Sequence, residues 1–177
     1  MGQTSNVDSY LEAQQLIAKV KATFGGITRG AGVTLHEAEV IDDYGTDAER
    51  AAARQPDTDN SWTELSDELI ATHPHILSFL DVQGLRYYLP AHLTFVLKDL
   101  VQWDGPTPNV SSALAISHLV VSQNFKEHQK ERFRSFSTEE SEVICRVLRF
   151  VAANFSWLSN DAEQALSAYW GQFCGRE

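Results

Sequence analysis

At four places in this chain a Ser or Thr standing three residues ahead of a Glu opens an apolar-patterned segment: Thr34–Glu37, Thr46–Glu49, Ser61–Glu64 and Ser137–Glu140. In such a capping box the hydroxyl accepts the N3 backbone N–H and the carboxylate accepts the N-cap N–H, so two donors orphaned at a helix start are satisfied together. Four of these signals in 177 residues predict a mainly α fold. The apolar spacing agrees with it. Leu11, Leu16, Ile17, Val20 and Phe24 recur at helical intervals in a helix over 7–24, with Gly25 placed for a left-handed C-terminal cap. Between 137 and 155 a wide stripe of Val143, Ile144, Val147, Leu148, Val151 and Phe155 marks a core helix. A last helix carries Ala165, Leu166, Tyr169 and Trp170 to pack on it.

The middle of the chain reads differently. In "HILSFLDVQGLRYYLPAHL" two short runs of aromatic and aliphatic residues flank Asp81-Val82-Gln83-Gly84, with Asp first and Gly fourth as in a type I turn. The expectation is one β-hairpin near residues 76–89, with Pro90 in the first turn of a following helix that "DGPTP" ends. "NVSSALAISHLVVSQ" is read as helix. The whole is one compact helical domain, 1–177. Its parts are an N-terminal helix 7–24, a helix-rich acidic segment 34–70, a hairpin and following helix 75–103, and C-terminal helices 137–173. At 19.8 kDa and 43% hydrophobic residues, such a domain buries about 70% of its unfolded surface without staples.

Charge limits the partners. Residues 1–68 hold 13 acids against 5 bases, and residues 69–177 hold 11 against 9, which together give the net −10. Phosphate backbones are gripped by Lys and Arg, and the one basic cluster, "FKEHQKERFR", is diluted by Glu127 and Glu131, so no nucleic acid is expected. No membrane is expected either, since the apolar run "LTFVLKDLVQW" is broken by Lys98 and Asp99. Two cysteines, no leader-like N-terminus and no span point to a soluble protein of a reducing cytoplasm, with Cys145 an inert buried thiol.

Chemical motifs are weak. "GGITRGAG" spaces Gly25 and Gly30 as a phosphate loop does, but Ala31 and Gly32 stand where Lys and Ser/Thr would grip phosphate and magnesium, so the glycines serve a turn with positive φ. His73, His75 and His92 with Asp81 or Glu68 lack a recognised ligand spacing, and neither a metal nor a cofactor is expected. His36-Glu37 lacks the second His of a zinc-protease helix. No Gly-x-Ser-x-Gly elbow occurs, and Asp42 and Asp43 diverge by about 100° on a helix, so they cannot share a proton. Dispersed pairs such as Asp43 with Asp81 stay open. Trp62, Trp103, Trp157 and Trp170, scattered over four segments, are expected in the core.

The order "GVTLHEAEVIDDYG", Trp62, "LSFLDVQGLRYYLPAHL", "RFRSFSTEESEVICRVLRFVA" and "ALSAYW" resembles a family of small uncharacterised bacterial proteins known as a domain of unknown function. The likeness runs from about Gly32 to Trp170, leaving the first 30 residues outside it. Its most specific part is Asp81 to Ala91. The resemblance implies a bacterial cytoplasmic protein and carries over no catalytic residue.

Two functional classes remain. The first is a non-enzymatic protein-binding module, with an immunity protein that neutralises a basic toxin as its most concrete form; the alternative is a hydrolase with dispersed Asp, Glu and His residues. In the first, Leu35, Ala38, Val40 and Ile41 face inward while His36, Glu37, Glu39, Asp42 and Asp43 ride outside. The binding surface is then Glu39, Asp42, Asp43, Asp47 and Glu49. Arg86, Tyr87 and Tyr88 form a second candidate patch, since adjacent tyrosines on a strand would point to opposite faces and leave one exposed.

Overall fold

A computed structural model describes residues 3–102 and 109–175. Nine α-helices occur among them: α1 (Gln3–Phe24), α2 (Leu35–Asp42), α3 (Asp47–Ala53), α4 (Asp67–Thr72), α5 (Val82–Gln102), α6 (Val110–His118), α7 (Lys126–Phe133), α8 (Thr138–Asn154) and α9 (Ser156–Ala168). Short 3-10 turns lie at Trp62–Glu64, Ile76–Ser78, Gln123–Phe125 and Trp170–Phe173.

Three of the four capping boxes form in full, at Thr34, Thr46 and Ser137, opening α2, α3 and α8. The fourth is split. Ser61 caps only the 3-10 turn at Trp62–Glu64, Glu64 accepts the N–H of Asn60 instead, and Ser66 caps the α4 helix that follows.

The hairpin does not form; no strand occurs among the described residues. Residues 76–78 make a 3-10 turn, and α5 runs unbroken from Val82 through the span read as the second strand. The reason lies in Asp81. Its Oδ1 accepts the Gly84 N–H at 2.7 Å and its carbonyl accepts the Leu85 N–H at 2.8 Å, so the residue acts as a helix N-cap. Asp-x-x-Gly fits a turn and a capped helix start equally well, and Leu85, Arg86 and Leu89 favour the helix. Pro90 sits in the helix interior, not the first turn, buried and with its carbonyl bonded by the Thr94 hydroxyl at 2.8 Å. Gly84 is required by packing and not by a left-handed backbone: a Cβ there would stand 2.5 Å from the Val33 carbonyl oxygen.

Helix α5 is the centre of the molecule. Its buried side chains include Leu85, Tyr87, Leu89, Leu93, Val96 and Leu97, and it packs on α1, α4, α6 and α8. Around it, α1 contributes Ala13, Leu16, Ile17, Val20 and Phe24, with Leu11 turned outward. α8 buries the expected Val143, Ile144, Val147, Leu148 and Val151 and packs against α1 and α9. Trp62 and Trp170 are core residues; Trp157 is not, being substantially exposed. Trp103 and the "DGPTP" stop lie outside the described residues. Cys145 is buried as expected, but it is joined to Cys174 in a disulfide and is no free thiol. Gly30, and not Gly25, is the turn glycine with positive φ, at 56°. No helix among the described residues is long and apolar enough to cross a membrane.

Replacing a helical glycine by alanine ordinarily gains up to about 1 kcal/mol. Gly84→Ala should instead lower the thermal midpoint, because the new methyl meets the Val33 carbonyl. A raised midpoint would show that the α5 start does not press on the 32–33 backbone.

Candidate functional site

Helices α2 and α3 have eight and seven residues, too short to persist alone. They are held by a polar network that grows from Arg29. Its Nη1 reaches both Asp59 oxygens at 3.0 and 2.9 Å and donates to the Tyr88 hydroxyl at 2.9 Å. Its Nη2 donates to the Asp57 carbonyl at 2.6 Å. The Tyr87 hydroxyl donates to Asp59 at 2.6 Å, and the Tyr88 hydroxyl accepts the Leu35 N–H at 3.2 Å.

Both tyrosines are fully buried, which corrects their expected place on a surface patch. On a helix, neighbours differ by about 100° rather than 180°, so both rings reach the interior together. Burial and the Asp59 carboxylate raise the pKa of Tyr87, and burial with Asp59 pushes Tyr88 up to about 12. They stay neutral donors and acceptors. Arg86 is also committed, forming a two-point ion pair with Glu140 at 3.2 and 2.7 Å.

The loop that Arg29 orders closes on the start of α2. Asp57 accepts the His36 backbone N–H at 3.0 Å and meets His36 Nδ1 at 2.5 Å. The His36 ring stands edge-on to His73, 5.3 Å between centroids. Nearby, Glu37 is only 5% exposed, against the expectation that it rides outside. Its carboxylate completes the capping box and also takes Arg50 at 3.0 Å and a close contact from Arg54, whose Nη1 bonds the Gly32 carbonyl as well. Burial works against its charge, but the Arg54, Thr34 and Arg50 hydrogen bonds outweigh that and hold its pKa below the usual value.

The expected acidic residues separate into two groups. Glu39 and Asp42 are engaged by His73 and His75, at 3.3 and 3.2 Å. Asp43, the C-cap of α2, is exposed, Asp47 is open to solvent, and Glu49 is exposed while its carboxylate accepts the Thr46 N–H and hydroxyl at 2.7 Å each. His92, by contrast, is enclosed in α5. Burial, with the nearby His118 and His73, lowers its pKa to about 3, and neither ring nitrogen has a protein partner. No group of three or more His, Cys, Asp or Glu among the described residues could hold a metal ion.

Between the two short helices stands a residue that the sequence reading passed over. Tyr44 is 96% exposed and adopts φ 57°. The chain ends α2 with a Schellman motif, Gly45 N–H to Val40 carbonyl at 2.8 Å and Tyr44 N–H to Ile41 carbonyl at 3.1 Å, and Tyr44 fills the position that glycine usually takes. Gly45 follows because a Cβ there would collide with the Val40 side chain at 2.3 Å. A large side chain is thus presented to solvent at a backbone cost of about 1 kcal/mol. Asp43, Asp47 and Glu49 are its sequence neighbours.

The arrangement is that of an all-helical protein whose polar core buttresses a short acidic helix pair bearing one exposed aromatic. The chain belongs to a family described as "Family of unknown function (DUF6714)", whose model matches residues 12–174. The match takes in most of α1, which the sequence resemblance had left outside. Comparison with curated proteins and with solved structures finds no match.

Because Glu37 serves two arginines as well as a cap, Glu37→Gln should cost roughly 2 kcal/mol, more than the about 1 kcal/mol expected for Thr34→Ala. A carboxylate whose pKa is lowered by folding adds stability above its ordinary value, 4.5, and loses it as pH falls through the folded value. The gap between wild type and Glu37→Gln in urea unfolding should therefore narrow below pH 4.5. A gap that stays constant into acid would mean that the two ion pairs contribute nothing.

Proposed function

We propose that this chain is a non-enzymatic protein-binding module that docks a basic protein partner on the Tyr44 promontory between α2 and α3. The single observation behind this reading is Tyr44 itself: an almost fully exposed tyrosine in a backbone conformation that glycine would adopt more cheaply. Strain kept at an exposed aromatic is understandable where that residue is an anchor, since tyrosines dominate interface hot spots and lose little rotamer freedom. The surrounding acids, Asp43, Asp47 and Glu49, supply steering toward a positively charged partner, with Asp42 and Glu39 held at the edge by histidines. Tyr87 and Tyr88 take no part in docking but hold the platform, and Arg86 ties α5 to the start of α8. The most concrete form of such a module is a bacterial immunity protein that neutralises a basic toxin.

A second reading, hydrolysis by dispersed acids and histidines, draws on the His36–Asp57 pair beside His73. A hydrolytic activity lost in His36→Asn with the fold intact would favour it.

The docking reading is tested by placing a photo-crosslinking benzoylphenylalanine at position 44 and, as a control, at the exposed Glu163 of α9, in the native host. A discrete adduct with one basic protein from position 44 and none from 163 is expected, weakening with added salt. Tyr44→Gly should raise stability by about 1 kcal/mol while abolishing that association. Identical adducts from both positions, or undiminished binding by Tyr44→Gly, would remove the reading.

A further inference from the structure

Elsewhere on the surface, the 74–78 segment, the end of α6, the 120–125 connection and α7 line a cavity of about 520 Å³. Although the chain carries 24 carboxylates against 14 Lys and Arg, no Asp or Glu lines this cavity. Arg132, three histidines and three serines do.

Arg132 is the unusual member. It is 8% exposed, and among the described residues it has no carboxylate in ion-pair contact, whereas Arg29, Arg54 and Arg86 each have one. Its Nη2 caps the Leu77 and Leu80 carbonyls at 3.1 and 2.8 Å, a structural task that uses one nitrogen. Its Nε is buried without a protein partner. Burial lowers its pKa, and the charge of Asp81, which follows the capped Leu80, only partly offsets that. A buried guanidinium with an unmatched charge is costly unless an anion completes it.

His118 shares the cavity and is largely buried. Burial, then the Arg132 charge, lowers its pKa to about 4, so it is a neutral imidazole able to donate one N–H beside the guanidinium. Leu114 and the strongly exposed Phe125 add apolar surface to the same lining. Guanidinium, imidazole and apolar wall together match one ligand chemistry, since a planar fork of N–H donors suits carboxylate and phosphate oxygens and the hydrocarbon surface suits an apolar body.

We propose that this cavity binds a small organic anion, with a carboxylate or phosphate headgroup on Arg132 and His118 and an apolar body against Leu114 and Phe125. The site meets the edge of the docking surface at His75, which engages Asp42, but does not depend on the docking reading.

The probes are 3-phenylpropionate, phenyl phosphate and the neutral 3-phenylpropionamide, followed by calorimetry and by the Arg132 Nε–H resonance of the full chain. At least one anion should saturate that resonance while the amide leaves it unmoved; a carboxylate-only or phosphate-only response identifies the headgroup. Arg132 variants lose the caps on Leu77 and Leu80, so the decisive variant is Ser122→Asp. Ser122 lines the cavity and is the N-cap of the 3-10 turn Gln123–Phe125, where Asp and Asn are both favourable. The added carboxylate should weaken anion binding at least about tenfold, while Ser122→Asn retains it. Failure of both anions to saturate, an equal response to the amide, or unaltered affinity in Ser122→Asp would overturn the proposal.

Discussion

The Arg29 guanidinium is the interaction on which the rest of this structure turns. It joins the 57–59 loop and the Tyr88 hydroxyl of α5, and reaches the Tyr87 hydroxyl through Asp59 and the first N–H of α2 through Tyr88. Two phenols buried in a helix need partners for their hydroxyls, because an unpaired buried polar group costs 1 to several kcal/mol, about what a whole short helix contributes. Arg29 and Asp59 supply those partners. In doing so they fix a stretch of chain that has little apolar surface of its own.

That arrangement explains how a pair of helices as short as α2 and α3 can carry a strained residue. Leu35 and Ala38 are the fully buried apolar anchors of α2, and α3 buries no residue fully. The remaining fixation is polar: Glu37 binds Arg50 and Arg54 of the α3 segment, Asp57 takes His36, and His73 and His75 hold Glu39 and Asp42. Together these over-determine the helix pair, and the left-handed backbone of Tyr44 persists. The acids nearest the tip are the ones left open to solvent.

Much of the fold was legible in the sequence because capping boxes are local chemistry. Thr34, Thr46 and Ser137 needed only their own third neighbours to form as read. Ser61 failed because a second serine, Ser66, stood better placed before a helical run. The stretch from His75 to Ala91 misled because Asp81 and Gly84 satisfy two local geometries, and what decided between them was distant: the Val33 N–H also bonds Asp81, and the Val33 carbonyl leaves no room for a Cβ at 84. The site was less legible. Glu37 was visible as a cap, but its arginines lie 13 and 17 residues away, and Arg29, Asp57 and Asp59 carry no motif at all. Tyr44 gave one faint signal, a tyrosine ahead of Gly45 at a helix end. The Cys145–Cys174 pairing depends on the fold of the C-terminal turn against α8.

The Arg29–Asp59 ion pair thus holds the α2–α3 platform onto an α5 core that stands without it. Residue-resolved amide hydrogen exchange on Asp59→Asn tests this most directly. The amides of Leu35, His36 and the rest of α2 should lose protection while those of α5 and α8 keep theirs. Unchanged protection in α2, or an equal loss across α2, α5 and α8, would contradict it.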